Sequence, residues 1–131
     1  RDRRKSRGLG DVYKRQVGYG LIDSTELFNA GLRNTAKNIV ESLKGRSVYL
    51  CFDMDFFDPS CAPGVCTPTW GGATSREGLD FLQNLTGLNL VGADINTVSP
   101  PHDISGMTAF LAATVGLEIL SVICHSKGLV E

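Results

Sequence analysis

The stretch Val48-Tyr49-Leu50-Cys51-Phe52-Asp53-Met54-Asp55-Phe56-Phe57-Asp58-Pro59 decides how this chain is read. Its first half is rich in apolar and aromatic residues and reads as a buried strand over Ser47–Asp53. Alternation along a strand would set Asp53 and Asp55 on one face, and Asp58-Pro59 ends the run. Two carboxylates side by side at the carboxyl end of a buried strand repel each other and lose hydration. That arrangement is costly unless a cation holds them, and hard oxygen donors suit a divalent metal. Asp-x-Asp alone leaves other readings open, because phosphatases, glycosyltransferases, calcium loops and plain solvated strand ends share it.

The surrounding chain alternates helix and strand. Leu27, Phe28, Leu32, Ala36, Ile39, Val40 and Leu43 recur at helical spacing, which predicts a helix over residues 23–44, broken near Gly31 and stopped by Gly45. A loop punctuated by Pro and Gly follows the strand as far as Ala73. Thr74-Ser75-Arg76-Glu77 has capping-box spacing and opens a helix over residues 75–85. Residues 88–94 read as the next strand and residues 106–124 as the last helix. That helix is apolar almost all round, so it is expected to be covered on most sides. The pattern argues for an α/β fold, three-layer α-β-α with a parallel sheet. Ligands of such sheets bind at the carboxyl ends of the strands, where Asp53, Asp55 and Asp94 fall.

Hydrophobic content of 42% and charged content of 21% are ordinary for a globular fold. No apolar run reads as long enough to span a bilayer and no signal peptide opens the chain, so a cytoplasmic protein without a membrane partner is expected. Of the four cysteines, Cys51 and Cys124 lie in apolar runs and are expected to be core thiols. Cys61 and Cys66 lie in the loop beside the two aspartates. Charge is unevenly spread: residues 1–16 hold seven of the 13 Lys+Arg and two of the 14 Asp+Glu, leaving six and twelve for the rest. A basic arm can signal nucleic-acid binding. Here Asp11-Val12-Tyr13-Lys14-Arg15-Gln16 is also the translation of a transposon-end sequencing adapter. Residues 1–16 are therefore read as a foreign, adapter-derived or disordered arm, residues 17–131 as the native part, and no nucleic-acid partner is expected.

Several motifs together resemble the ureohydrolase family, which includes arginase, agmatinase and guanidinobutyrase. They are Asp53-x-Asp55-x-x-Asp58-Pro59, Ala62-Pro63-Gly64, Thr67-Pro68, Gly71-Gly72, Thr74-Ser75-Arg76-Glu77, and Val91-Gly92-Ala93-Asp94 through Val98-Ser99-Pro100-Pro101-His102-Asp103. The resemblance covers the C-terminal part of that family. It implies an arginase-like fold and two divalent metal ions, manganese with nickel as the alternative. Asp53 would bridge the metals and Asp55 would ligate one of them, with Asp58 bracing the loop behind them; Asp94 would either support the ligands in the same way or serve a structural role. The remaining metal-binding His and an Asp-x-His-x-Asp cluster belong to a part of the family absent from this chain. The reaction implied is hydrolysis of a guanidino compound to urea, by a protein expected to be a homo-oligomer at full length.

Two departures bear on substrate. The family normally has Glu in a Glu-Val-x-Pro context, where it pairs with the guanidinium; Thr97 stands there in this chain. Trp70 precedes Gly71-Gly72, where a small or aliphatic residue is common, and it reads either as part of the site or as a surface plug at a subunit contact. Losing a charged bidentate anchor and gaining a bulky indole that can hold a cation both favour a short substrate, such as guanidine. The pattern from Asn96 to Asp103 also resembles the guanidine-hydrolysing branch. Agmatinase or guanidinobutyrase activity is the alternative, and an inactive truncated fragment is the non-enzymatic one. His102 reads either as a proton shuttle or as a hydrogen-bonding structural residue. A haloacid-dehalogenase-type phosphatase also uses strand then Asp-x-Asp, but that motif wants a small or β-branched pair where this chain has Phe56-Phe57. Asp53, Asp55 and Thr97 are expected to face a common cavity.

Overall fold

The computed structural model describes residues 20–129. In chain order the elements are helices α1 (Ser24–Ala30) and α2 (Leu32–Ser42), strand β1 (Ser47–Asp53), a 3-10 turn (Met54–Phe56), helix α3 (Ser75–Gln83), strand β2 (Asn89–Asn96), a second 3-10 turn (Pro100–His102) and helix α4 (Met107–Ser126). The arm expected over residues 1–16 lies outside the described residues.

The chain divides into two units, residues 1–31 and residues 32–131. In the first, α1 opens on a capping box: the Asp23 carboxylate accepts the Glu26 N–H at 2.9 Å and Glu26 accepts the Asp23 N–H at 3.2 Å. Gly31 follows it, so the helix expected over residues 23–44 is two helices.

In the second unit β1 and β2 pair in parallel, from Ser47 opposite Asn89 to Asp53 opposite Asn96, with an irregularity after Val48. Parallel neighbours need a crossover, and α3 lies within it. The Thr74–Glu77 capping box starts α3 as its spacing predicts. β2 runs two residues beyond the expected Asp94, because the ladder continues until Asn96 meets Asp53. α3 packs on α2 and α4, and α4 also packs on β2.

The core is built around the end of β1. Phe57, Met54, Leu82, Leu90 and Val115 are fully buried. Phe52, Phe56 and Phe57 pack on one another with ring centroids 5.5–5.8 Å apart, and Phe81 of α3 meets Phe56 at 5.7 Å. The Phe56-Phe57 pair that counted against a phosphatase motif therefore anchors the turn after β1 in the core.

Four expectations are corrected here. Among the described residues β1 is covered on one face only: Phe52 is buried and Val48 and Leu50 are half-buried, while Tyr49, Cys51 and Asp53 are exposed. Cys51 is thus a surface thiol rather than a core one, because it shares the open face with Asp53. α4 is not covered on most sides among the described residues. Thr108, Val115, Ile119 and Val122 are buried on β2 and α3, whereas Phe110 is 72% and Leu117 69% exposed. Finally, α4 has 20 residues and reaches a mean hydropathy of 2.0 over 18 of them, so one run among the described residues is long and apolar enough to cross a membrane by length and composition. One side of it packs on β2 and α3.

The start of α4 is held from a distance. The Asp103 carboxylate accepts the N–H groups of Thr108 at 2.9 Å and Ala109 at 3.0 Å, which is an N-cap's role performed from three residues before Gly106. Burial pushes the Asp103 carboxyl up, but the Thr108 and Ala109 hydrogen bonds bring it below its usual value.

Two outcomes are expected. Asp103→Ala lowers the thermal midpoint near neutral pH. A depressed folded-state pKa stabilises only above the unfolded value, so the difference from wild type fades as pH falls below the ordinary 3.8 and through the folded value. A difference that persists at the acid end counts against the cap. Gly78→Ala should destabilise despite a gain of about 1 kcal/mol in helix propensity. A Cβ there would lie 2.1 Å from the Phe57 ring, which is fully buried. Overpacking of about 1–3 kcal/mol should win, read as a lower urea midpoint.

Candidate functional site

β1 ends at Asp53, and the chain then folds into the Met54–Phe56 turn instead of continuing as strand. Alternation therefore does not place Asp55. It is placed by contacts from two loops: its N–H donates to Thr97 Oγ1 at 3.3 Å, and its Oδ2 accepts a short hydrogen bond from the Thr67 hydroxyl. Asp53 is exposed and opposite Asn96, and its carboxylate has no hydrogen-bond partner among the described residues. Asp55 is half-buried, and no partner is described for its Oδ1.

The Asp58 carboxylate accepts the Ser60 N–H at 2.9 Å and the Gly71 N–H at 2.8 Å. The Ser60 side chain and N–H, then Gly71, hold it below the usual carboxylate range. It ties both ends of the loop between β1 and α3 together. Backbone bonds of Asp58 N–H to Ala73 and of Ala73 N–H to Phe56 close the same loop.

Asp94 lies on the face shared by Tyr49, Cys51 and Asp53. The Tyr49 hydroxyl donates to it at 2.8 Å, and the Asn96 amide donates to its other oxygen. The Tyr49 hydroxyl foremost, then the Cys51 thiol, keeps its carboxyl below the usual range. Asn96 also donates to Cys51 Sγ at 3.2 Å. Asp94 is thus joined to Asn96, which stands opposite Asp53.

Thr97 has φ +70°. A β-branched residue in the left-handed region is an outlier costing roughly 1–2 kcal/mol, and such strain gathers at functional sites. His102 is exposed on the second 3-10 turn, with its Nδ1 2.7 Å from the Ser99 hydroxyl. No contact is described between His102 and either Asp53 or Asp55. Trp70 is 80% exposed and has no ring partner among the described residues. It adjoins Gly71, whose N–H bonds Asp58.

Of two cavities, each of about 410 Å³, the second is lined in part by Asp94. The first is between α2 and α3, and the second is an apolar groove between β2 and α4. Asp53, Asp55 and Thr97 line neither of them.

Sequence reading alone missed Thr67 and Asn96. Thr67 is twelve residues from Asp55 and no local pattern joins them. Asn96 is placed by the ladder. Thr67-Pro68 was visible only as part of a motif.

Among the described residues, no group of three or more His, Cys, Asp or Glu is placed to hold a metal ion. The free Asp53 carboxylate and the free Oδ1 of Asp55 are hard donors that fit part of the coordination sphere of a divalent cation. They make up less than a full site.

Comparison with known proteins places the chain in a family. The Arginase family profile matches residues 3–121, a range that begins inside the stretch read as a foreign arm. A guanidinopropionase from Pseudomonas aeruginosa is 37% identical over 116 residues, covering 88% of this chain and 36% of the relative. An agmatinase from Blochmanniella floridana is 37% identical over 113 residues, covering 86% and 37%. The solved structure of a proclavaminate amidino hydrolase from Streptomyces clavuligerus superposes with a TM-score of 0.83 at 38% identity, covering 87% of this chain and 38% of that one. The chain thus spans a little over a third of the length of the curated relatives it matches. With the family match running through both acidic strands and most of α4, this α/β chain with its parallel sheet belongs to the arginase family, on its agmatinase-like branch.

Proposed function

We propose that the whole protein is a metal-dependent amidinohydrolase that releases urea from a small guanidino compound, guanidine being the favoured substrate. The observation that supports this most is the pairing at the carboxyl ends of β1 and β2. Two carboxylates with free oxygens, Asp53 and Asp55, sit beside Thr97, a strained residue where the family pattern has Glu. Asp53 and Asp55 would hold two divalent ions, manganese or nickel, together with ligands supplied from outside the described residues. When bound, such ions lower the pKa of water and so supply a nucleophile at neutral pH. That is what a guanidinium carbon requires, since resonance spreads its charge over three nitrogens.

The chain's own residues divide the rest of the work. Asp58 holds the loop that bears Thr67 and Trp70, and Asp94 holds Asn96 opposite Asp53. Thr97 offers the guanidinium one neutral acceptor in place of a carboxylate, a loss on the order of 1.5–3 kcal/mol of charge-assisted hydrogen bonding. A small cation enclosed on all sides tolerates that loss best. The exposed Trp70 indole is free to close over it, and its face can hold a cation. The His102 ring, held by Ser99, is read as a structural hydrogen-bonding residue. The names of the relatives favour a second reading, in which the substrate carries a longer tail, as agmatinase or guanidinopropionase would use.

Kinetics of the complete enzyme decide between the two. Wild type should show higher kcat/KM for guanidine than for agmatine. Trp70→Ala should reduce that preference by about tenfold or more, and Thr97→Glu should shift it further. Higher kcat/KM for agmatine in wild type would defeat the short-substrate argument. Purified residues 1–131, with only two of the ligands, should release no urea in manganese or nickel; release above background would show that the site does not need the other ligands.

A further inference from the structure

Asp55 lies in a three-residue 3-10 turn, whose hydrogen-bond geometry is poorer than that of an α-helix. Two loops reach it. Beyond β2, the bend at Thr97 aims Oγ1 at the Asp55 N–H, 3.3 Å away, and leaves the Thr97 carbonyl to accept the Cys66 N–H at 3.0 Å. Val65 and Val98 form an antiparallel bridge beside this contact, so the two loops are joined at that point. One residue beyond Cys66, the Thr67 hydroxyl donates to Asp55 Oδ2. One threonine therefore holds the Asp55 backbone and the other holds one carboxylate oxygen.

We propose that Thr97 and Thr67 are positioning residues that clasp Asp55, one by its backbone N–H and the other by its carboxylate, in the orientation in which it would ligate a metal. This rests on Asp55 being a metal ligand. It also gives the strain at Thr97 a purpose. Glycine or asparagine would adopt φ +70° more easily, but neither would place a hydroxyl on the Asp55 N–H.

The discriminating variant is Thr97→Gly, because strain and hydroxyl leave together with opposite effects. In the complete enzyme it should raise the thermal midpoint and yet weaken manganese binding by about 10–100-fold, the range for residues that orient metal ligands. It should also speed hydrogen exchange at the Asp55 amide, a readout independent of metal. Thr67→Val should weaken manganese similarly, while Thr67→Ser and Thr97→Ser, which keep the hydroxyl, should restore near wild-type affinity. Cobalt(II) absorption spectra should change in the valine and glycine variants and not in the serine ones. If Thr97→Gly gains stability with manganese affinity and Asp55 exchange unchanged, Thr97 does not position Asp55 and the clasp is wrong. If Asp55→Asn leaves manganese affinity unchanged, the metal reading itself fails and takes the clasp with it. A loss for Asp55→Asn with none for the threonine variants overturns the clasp alone.

Discussion

The close approach at Gly64 is the constraint on which the rest of this structure depends. Its N–H donates to Thr108 Oγ1 at 2.8 Å and its carbonyl accepts the Ser99 N–H at 2.8 Å. A Cβ at this position would lie 2.4 Å from the Asp103 Cβ and 2.6 Å from its Cα. Only a bare backbone fits there. One residue thereby joins the loop after β1, the loop after β2 and the first turn of α4. Thr108 is completely buried, so losing its partner would leave a hydroxyl unsatisfied in the core.

That junction sets the site. With the loops joined at Gly64 and again at the Val65–Val98 bridge, Thr97 and Thr67 come to bear on Asp55 from different segments. Asp103 does two things at once, packing on Gly64 and capping α4. The open face of β1 and β2 then collects the polar side chains Tyr49, Cys51, Asp94 and Asn96 behind Asp53. The covered face collects the phenylalanine cluster that buries the turn bearing Asp55. Site and core are opposite sides of the same strand end.

Local signals carried much of the fold. The run before Asp53 gave strand bounds that match Ser47–Asp53, and the Thr74–Glu77 spacing marked the start of α3, because both depend on neighbours within a few residues. Gly31 and Gly45 bounded the helices for the same reason. The Asp-x-Asp and Ala-Pro-Gly motifs led to the arginase family, which the comparisons show.

By itself, then, the sequence determined the order of elements, the parallel α/β class and the family, since periodicity, capping and motif spacing are properties of contiguous residues. Only the tertiary structure decided that Asp55 leaves the strand and is held by Thr67 and Thr97. It also decided that Cys51 faces outward with Asp53, that Asp103 caps a helix starting four residues later, and that α4 keeps Phe110 and Leu117 exposed. The physical reason is shared. A hydrophobic pattern says that a residue prefers burial, but which face is buried depends on what packs there. A loop hydroxyl finds its partner through chain closure over 12 to 42 residues, which local pattern does not encode.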